Sequence, residues 1–303
     1  MELYIKHTIV ACLITCFSFS QSKINNFLKP SDTLNTSRRN TVVISEASVA
    51  ALTLIGLNQL WYADYPKSKF HTLNDNSEWL QMDKLGHVYS SYQLGRIGAD
   101  MLAWSGVRKK DQLIYGSTIG FAFLTVVEVF DGFSEEWGFS WGDMAANAMG
   151  TGFYVGQELL WDEQRITLKY SFHQTEYAQL NPEKLGDGLS QEFLKDYNGQ
   201  TYWLSLNLHS FFKDSKIPKW LNVAFGYGAD GMISGNNETD NEAIVYQEPY
   251  RQYYFSLDVD LTRIKTESHV LKTVFNIFNV IKIPFPTMEF NDKNGIKLHA
   301  IYF

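Results

Sequence analysis

The chain has 303 residues, of which 45% are hydrophobic, 15% aromatic and 19% charged, with a formal net charge of −7. The length accommodates one large domain or two ordinary ones, and the abundance of aromatic residues excludes a disordered or fibrous chain. The acidic balance gives no basis for a nucleic-acid partner.

Met1 to Ser20 reads as a secretory signal peptide. Lys6 and His7 form a short basic start, Thr8 to Phe19 is the apolar stretch, and Ser18-Phe19-Ser20 resembles a small-x-small cleavage site. The apolar run is short for a membrane anchor, which needs about 20 residues. Ile9-Val10-Ala11-Cys12 has a lipobox-like look, but little apolar chain precedes Cys12 and a strongly apolar run follows it, so cleavage is favoured over lipidation. Cys12 and Cys16 are the two cysteines of the chain. After cleavage the expectation is no thiol, no disulfide, no Cys-ligated zinc and no cysteine nucleophile.

Residues 21–40 read as a polar linker, and a helical region is expected over 41–163. Its helices are Thr41 to Tyr62, Lys84 to Ser105, Asp111 to Phe130 and Trp141 to Trp161. No charge falls between Gln112 and Val127. Gly116 with Gly120, and Gly152 with Gly156, recur at the spacing that lets helix backbones approach closely. Glu46, Arg96 and Asp100 make spanning a bilayer expensive for the first two helices.

From Arg165 the period changes to two, and an antiparallel β domain is expected over 164–303. Ile166, Leu168, Tyr170 and Phe172 alternate with Thr167, Lys169 and Ser171. The same alternation runs through Tyr202–Leu208, Leu221–Tyr227 and Tyr253–Leu261, and Asn294-Gly295 marks a hairpin joining Thr287–Phe290 to Ile296–Phe303. Between them, residues 269–282 carry Val270, Leu271, Val274, Phe275, Phe278 and Ile281 at helical spacing. The fold class is α+β: an N-terminal four-helix bundle followed by a C-terminal antiparallel β-sheet or incomplete barrel. One reading packs the apolar face of the sheet on the helices. The other is a small outer-membrane barrel, apolar outside and polar inside. Lys297 and His299 share alternation parity with Ile301 and Phe303, which spoils a lipid-facing side, and six strands fall short of the smallest barrel. The curved sheet packed on helices is therefore the more economical expectation.

Sparse polar residues stand at helix spacing in the apolar half: Asp83 with His87, Glu128 with Asp131, and Asp143 with Asn147. A carboxylate near a helix N-terminus, as at Asp83, is favoured by the dipole, whereas Glu128 and Asp131 near a C-terminus oppose it. They call for a cation, and Lys84, His87 and Arg96 are the candidates. Ser140 is placed to cap the fourth helix, with Asp143 completing a capping-box-like pattern.

The runs Asp83-Lys84-Leu85-Gly86-His87-Val88-Tyr89, Glu128-Val129-Phe130-Asp131-Gly132 and Trp137-Gly138-Phe139-Ser140-Trp141-Gly142-Asp143-Met144-Ala145-Ala146-Asn147-Ala148-Met149-Gly150 resemble the YfiM-like bacterial envelope proteins, a group described as periplasmic lipoproteins. They resemble the VanZ-like membrane proteins more distantly. The likeness covers about Leu80 to Glu158. It implies an exported chain in the periplasm or outer membrane of a Gram-negative bacterium, with membrane or envelope components as partners, and implies no settled activity.

Two chemistries are open for this set. His87, Asp83, Glu128 and Asp143 could hold a divalent cation, or His87 could serve as acid or base with the carboxylates as orienters. Lys84, Asp131, Ser140 and Asn147 would then bind ligand or complete a polar network, and a purely structural network is the plainer alternative. The function expected is a cell-envelope protein with a structural or binding role. The alternatives are an envelope lipid- or glycan-processing enzyme, and a small outer-membrane barrel with a helical plug. No Ser-His-Asp, P-loop or His-Glu-x-x-His pattern is present.

Overall fold

The fold is seen in a computed structural model that describes residues 23–62, 65–236 and 248–302. The expected leader, with Cys12 and Cys16, and the terminal Phe303 lie outside the described residues. The architecture is α+β, a helical half followed by six antiparallel strands in an open sheet.

Helix α1 is Thr36–Leu57, followed by a π-helical turn Asn58–Tyr62. It starts inside the stretch read as linker, because the Asn35 side chain accepts from Arg38 N at 3.0 Å and caps it there. Helix α2 is Met82–Trp104. The next stretch begins at Lys109, passes through a π-helical turn Gln112–Gly116 and continues as α3, Ile119–Asp131. Helix α4 is Trp141–Trp161. Two stretches, Thr36–Leu57 and Lys109–Asp131, are long and apolar enough to cross a membrane by length and composition.

Helix α2 is central and packs on both α3 and α4. Glycine sets how closely. A Cβ on Gly116 would lie 2.6 Å from Ala99 Cα, and one on Gly120 2.4 Å from Ser91 O, as the small-residue spacing predicts. Gly152 and Gly156 do not act this way, since a Cβ added at either would meet no other element of the described residues within 4 Å. The face of α4 that meets α2 carries Asp143, Asn147, Gly150 and Tyr154, all buried. The close approach is made by Gly150, whose added Cβ would lie 2.1 Å from Val88 O.

The strands are β1 Ile166–Phe172, β2 Gln200–Asn207, β3 Leu221–Asp230, β4 Tyr250–Val259, β5 Phe285–Asn291 and β6 Gly295–Tyr302. They pair in sequence order, each antiparallel to the next. The turn into β6 uses Gly295 at φ +70°, as Asn-Gly predicts. Helix α5, His269–Phe278, lies between β4 and β5 in the chain. After it, Val280 and Lys282 hydrogen-bond to both backbone groups of Tyr170 at 3.0 Å and cover that part of the β1 edge.

The sheet is strongly rolled. Lys169 on β1 meets Asp258 on β4 at 2.8 Å, with both side chains fully buried. Three strand spacings would separate their backbones by about 14 Å in a flat sheet. Tyr302 OH on β6 likewise lies 3.1 Å from Thr201 Oγ1 on β2. Among the described residues nothing pairs β6 with β1, so the form is the incomplete barrel of the sequence expectation.

The orientation of the faces departs from that expectation. The apolar face packs on helix over β1 and the adjoining part of β2, where Tyr89 meets Tyr170 and Tyr202 with ring centroids 5.6 and 5.8 Å apart. One helix is about 10–12 Å across and covers roughly two strands. Beyond that, the apolar face is open and the polar face is inside the roll. Its interior holds the Lys169–Asp258 pair, Trp203 donating to Ser171 Oγ at 2.9 Å, and Lys282 Nζ 4.7 Å above the Trp203 ring. Glu289 accepts from Gln252 at 3.0 Å and Asn291 at 2.7 Å, and meets His299 at 2.6 Å.

The parity of β6 is resolved by a bulge. His299 pairs with Thr287 but Tyr302 pairs with Phe285, so β6 contributes one residue more than β5 across this interval. Tyr302 thereby turns inward alongside His299, and Ile301 is left exposed.

Candidate functional site

The site is assembled from the start of α2, the end of α3 and the start of α4. Before α2 the chain makes a left-handed turn, with φ of 49°, 48° and 67° at Trp79, Leu80 and Gln81. Such backbone is strained in residues with a Cβ and persists where its surroundings fix it. Tyr227 OH donates to Leu80 O at 2.6 Å, Trp79 N donates to Gly235 O at 2.9 Å, and Met82 is fully buried. The turn sets where α2 begins and places Asp83 and His87 at the wall of a cavity of about 540 Å³.

His87 is the centre of the set. Its Nδ1 lies 3.0 Å from Asn147 Oδ1, and since that oxygen only accepts, Nδ1 carries the proton of this bond. Its Nε2 faces three carboxylates: Asp83 Oδ1 at 3.8 Å, Glu128 Oε1 at 3.7 Å and Asp143 Oδ1 at 3.7 Å. These distances are too long for hydrogen bonds. Two ligand atoms each about 2.1 Å from one ion stand roughly 3.5–3.7 Å apart. Among the described residues, Asp83, His87 and Asp143 are the group whose donor atoms lie close enough to share a cation, within 4.8 Å of one another. Glu128 joins through His87.

Lys84 is the second cation. Its ammonium is 2.8 Å from Asp75, 3.0 Å from Asp83 Oδ2 and 2.8 Å from Asp143 Oδ1. Asp143 Oδ1 has no partner in hydrogen-bonding geometry, and neither does the buried Asn147 Nδ2. A carboxylate oxygen has two lone pairs, so Asp143 can face both the ammonium and an ion at Nε2. Tyr197 OH donates to Asp83 Oδ1 at 2.8 Å, and Tyr62 OH donates to Asp131 Oδ1 at 2.6 Å.

The electrostatics follow from five acids around two bases. Burial pushes Glu128 up to about 8, Asp143 up to about 7 and Asp131 up to about 6. Burial also works against a charged Asp83, but His87, Lys84 and the Tyr197 hydroxyl outweigh it and its carboxyl is lowered. Burial disfavours imidazolium at His87, yet Asp83, Asp143 and Glu128 overcome this and raise it. Lys84 is raised by the same carboxylates against the cost of its burial. Without an added cation, the cluster takes up protons to offset its negative charge.

Seven of the eight expected site residues, Asp83, Lys84, His87, Glu128, Ser140, Asp143 and Asn147, meet directly or through one another. Asp131 lines the same cavity but is held by Tyr62. Arg96 takes no part as a counter-cation. It is buried on the face of α2 turned to α5, where it donates to Gln93, to Asp100 and to both Asn276 Oδ1 and Asn276 O. Ser140 caps α4, accepting from Asp143 N at 3.1 Å. The reciprocal half of a capping box is absent, since Ser140 N donates to Glu128 Oε2 at 3.1 Å instead. Three site residues were missed by the sequence reading: Asp75, Tyr62 and Tyr197. No period or spacing links them to the helical motifs, because Asp75 lies in a loop and Tyr197 comes from the chain just before β2.

A second cavity, of about 330 Å³, also borders Asp83 and His87 and is lined by Leu124, Tyr170, Phe193, Tyr197 and Tyr202. The imidazole thus borders both an acidic chamber and an aromatic one.

A family model described as "Predicted periplasmic lipoprotein (DUF2279)" matches residues 72–157. The matched stretch holds α2, α3 and most of α4, and every member of the cluster except Tyr62 and Tyr197; it ends before the strands. The description supports an exported envelope protein of undefined activity. No curated protein and no solved structure matches the chain.

Proposed function

We propose that this is an exported envelope protein whose helical half binds a divalent cation between Asp83, His87 and Asp143, with Glu128 beside them. The observation that carries the reading is the spacing at His87: three carboxylate oxygens stand 3.7–3.8 Å from Nε2, past hydrogen-bonding reach and near the separation of atoms that share an ion. One imidazole with carboxylates suits zinc or manganese better than calcium or magnesium. Asn147 holds the ring by Nδ1, the usual role of an outer partner of a metal-binding histidine. Lys84 balances the remaining acids, and Tyr197 fixes Asp83. A bound ion would polarise an ester or phosphate oxygen and make a bound water more acidic.

In the cell, the reading places the chain at the outer membrane or its periplasmic face in a Gram-negative envelope, in keeping with the YfiM-like likeness and the expected leader. An activity on envelope lipid or glycan is the second reading, favoured by the aromatic chamber that adjoins His87. Calorimetric titration of ZnCl₂ or MnCl₂ into chelator-stripped full-length protein tests the cation. One site per chain is expected, weakened at least about tenfold by His87→Ala or Asp143→Asn, as outer- and inner-partner changes at metal sites generally are. No heat of binding, or equal binding by folded variants, refutes it. Recovery of the mature chain from the cytosol on fractionation refutes the location.

A further inference from the structure

We propose that the outer face of the sheet, from β2 to β6, is a wall that sits against the hydrocarbon of a lipid bilayer. This deepens the envelope location above and is independent of the cation.

The wall is made of cross-strand rows. Leu204, Phe225, Phe255, Met288 and Leu298 are paired in register across five strands, as are Tyr202, Tyr227, Tyr253, Phe290 and Ile296. Leu206, Val223 and Leu257 form a third row. No Asp, Glu, Lys, Arg or His stands in these rows. Tyr202 and Tyr227 meet the helical half at one end of the wall, and away from them the side chains are open: Phe225 is 48% exposed, Tyr253 52% and Leu298 74%.

A sheet with one face in water buries its apolar side and wets its polar side. Here the order is reversed, because the face carrying Lys169, Asp258 and Glu289 is the buried one and its charges are paired inside the roll. That reversal is how strands are arranged where the solvent is lipid. The dimension suits contact with a bilayer. From Leu221 to Tyr227 the apolar band runs about 20 Å along the strand at ~3.4 Å per residue, enough to enter the hydrocarbon layer and shorter than the ~9–11 residues of a tilted spanning strand.

The edge of the band identifies the occupant. At the β2–β3 connection the exposed aromatics Phe211, Phe212 and Trp220 stand among exposed Lys213, Lys216 and Lys219, against one acid, Asp214. Aromatic and basic side chains at the rim of an apolar band match the level of lipid headgroups, aromatics by their mixed polarity and lysines by attraction to phosphate. At the other end the band stops at Arg251, paired with Ala229.

The test uses full-length protein with Cys12 and Cys16 replaced by Ser. Single cysteines are placed on the wall by Phe225→Cys and Leu257→Cys, and off it at exposed Glu135 by Glu135→Cys, and each is labelled with bimane. Variants that keep the wild-type far-UV spectrum are mixed with phosphatidylcholine–phosphatidylglycerol vesicles, with or without brominated acyl chains. Brominated chains should quench the labels at 225 and 257 and leave the label at 135 unchanged. If aqueous iodide quenches the wall labels equally with and without vesicles, the wall is wet and the inference fails. If the same variants left unlabelled instead form disulfide-linked dimers that exclude lipid, a second copy covers the wall and the inference fails as well. Either failure leaves the fractionation result, and with it the envelope location, intact.

Discussion

Glu128→Gln separates the two demands that the cluster places on this residue. The carboxyl lies buried between α3 and α4, and its pKa is lifted from 4.5 to about 8, first by burial and then by Asp143 and Asp131, against the pull of His87. Because the folded value is above the unfolded one, the folded state keeps its proton while the unfolded state loses it between these values. Stability is therefore full below pH 4.5 and falls as pH rises toward 8. The displacement corresponds to roughly 4–5 kcal/mol by the end of that window. Gln keeps the size of the side chain and its acceptor for Ser140 N, removes the charge, and gives up the attraction to His87. The expected net gain is about 2 kcal/mol at pH 9, or roughly 3 °C in melting temperature for a chain of this size, and close to nothing at pH 4.5. Thermal melts of the chelator-treated protein at both pH values measure it. An equal shift at the two pH values, or a loss at pH 9, refutes the electrostatic account of Glu128. The same variant should bind a cation more weakly, so that stability and binding move in opposite directions.

Other consequences can be checked separately. Cation affinity should rise between pH 6 and pH 8.5, because Asp143 and Glu128, pushed up by burial to about 7 and about 8, must lose their protons to face an ion; calorimetry at the two pH values reads this, and a flat profile counts against it. Gly150→Ala should destabilise by about 1–3 kcal/mol, because its Cβ meets Val88 O at 2.1 Å. Gly152→Ala, with nothing within 4 Å, should stabilise by about 0.5–1 kcal/mol through helix propensity; urea melts of the pair compare the two faces of α4. Lys169→Met should cost about 3–5 kcal/mol, since it leaves Asp258 charged and buried inside the roll, and the same melts would show it.

Much of the fold was legible in the sequence because it rests on period. The four long helices and six strands follow from apolar spacing, and the final hairpin from Asn294-Gly295. What period cannot say is which face meets the core. Ile166, Leu168 and Tyr170 obeyed the ordinary rule because α2 lies over them, whereas Phe225 and Leu298 continue the same face and are left exposed among the described residues. The bulge in β6 was equally invisible. Simple alternation put Ile301 with His299, and one extra residue reversed that. The helix-borne members of the site were found because i,i+4 spacing places Asp83 beside His87 and Asp143 beside Asn147. Arg96 had the right charge and the wrong side of the helix, and Asp75 and Tyr197 arrive from elements that share no pattern with α2.

The central claim is that the Asp83, His87 and Asp143 cluster holds an ion. The most direct measurement is the metal content of full-length protein purified without chelator, compared with a folded Asp143→Asn variant. The account predicts one zinc or manganese per chain in the wild type and none in the variant. Wild-type protein that stays free of metal after incubation with both ions would contradict it and leave the cluster a proton-balanced network that fixes the helices.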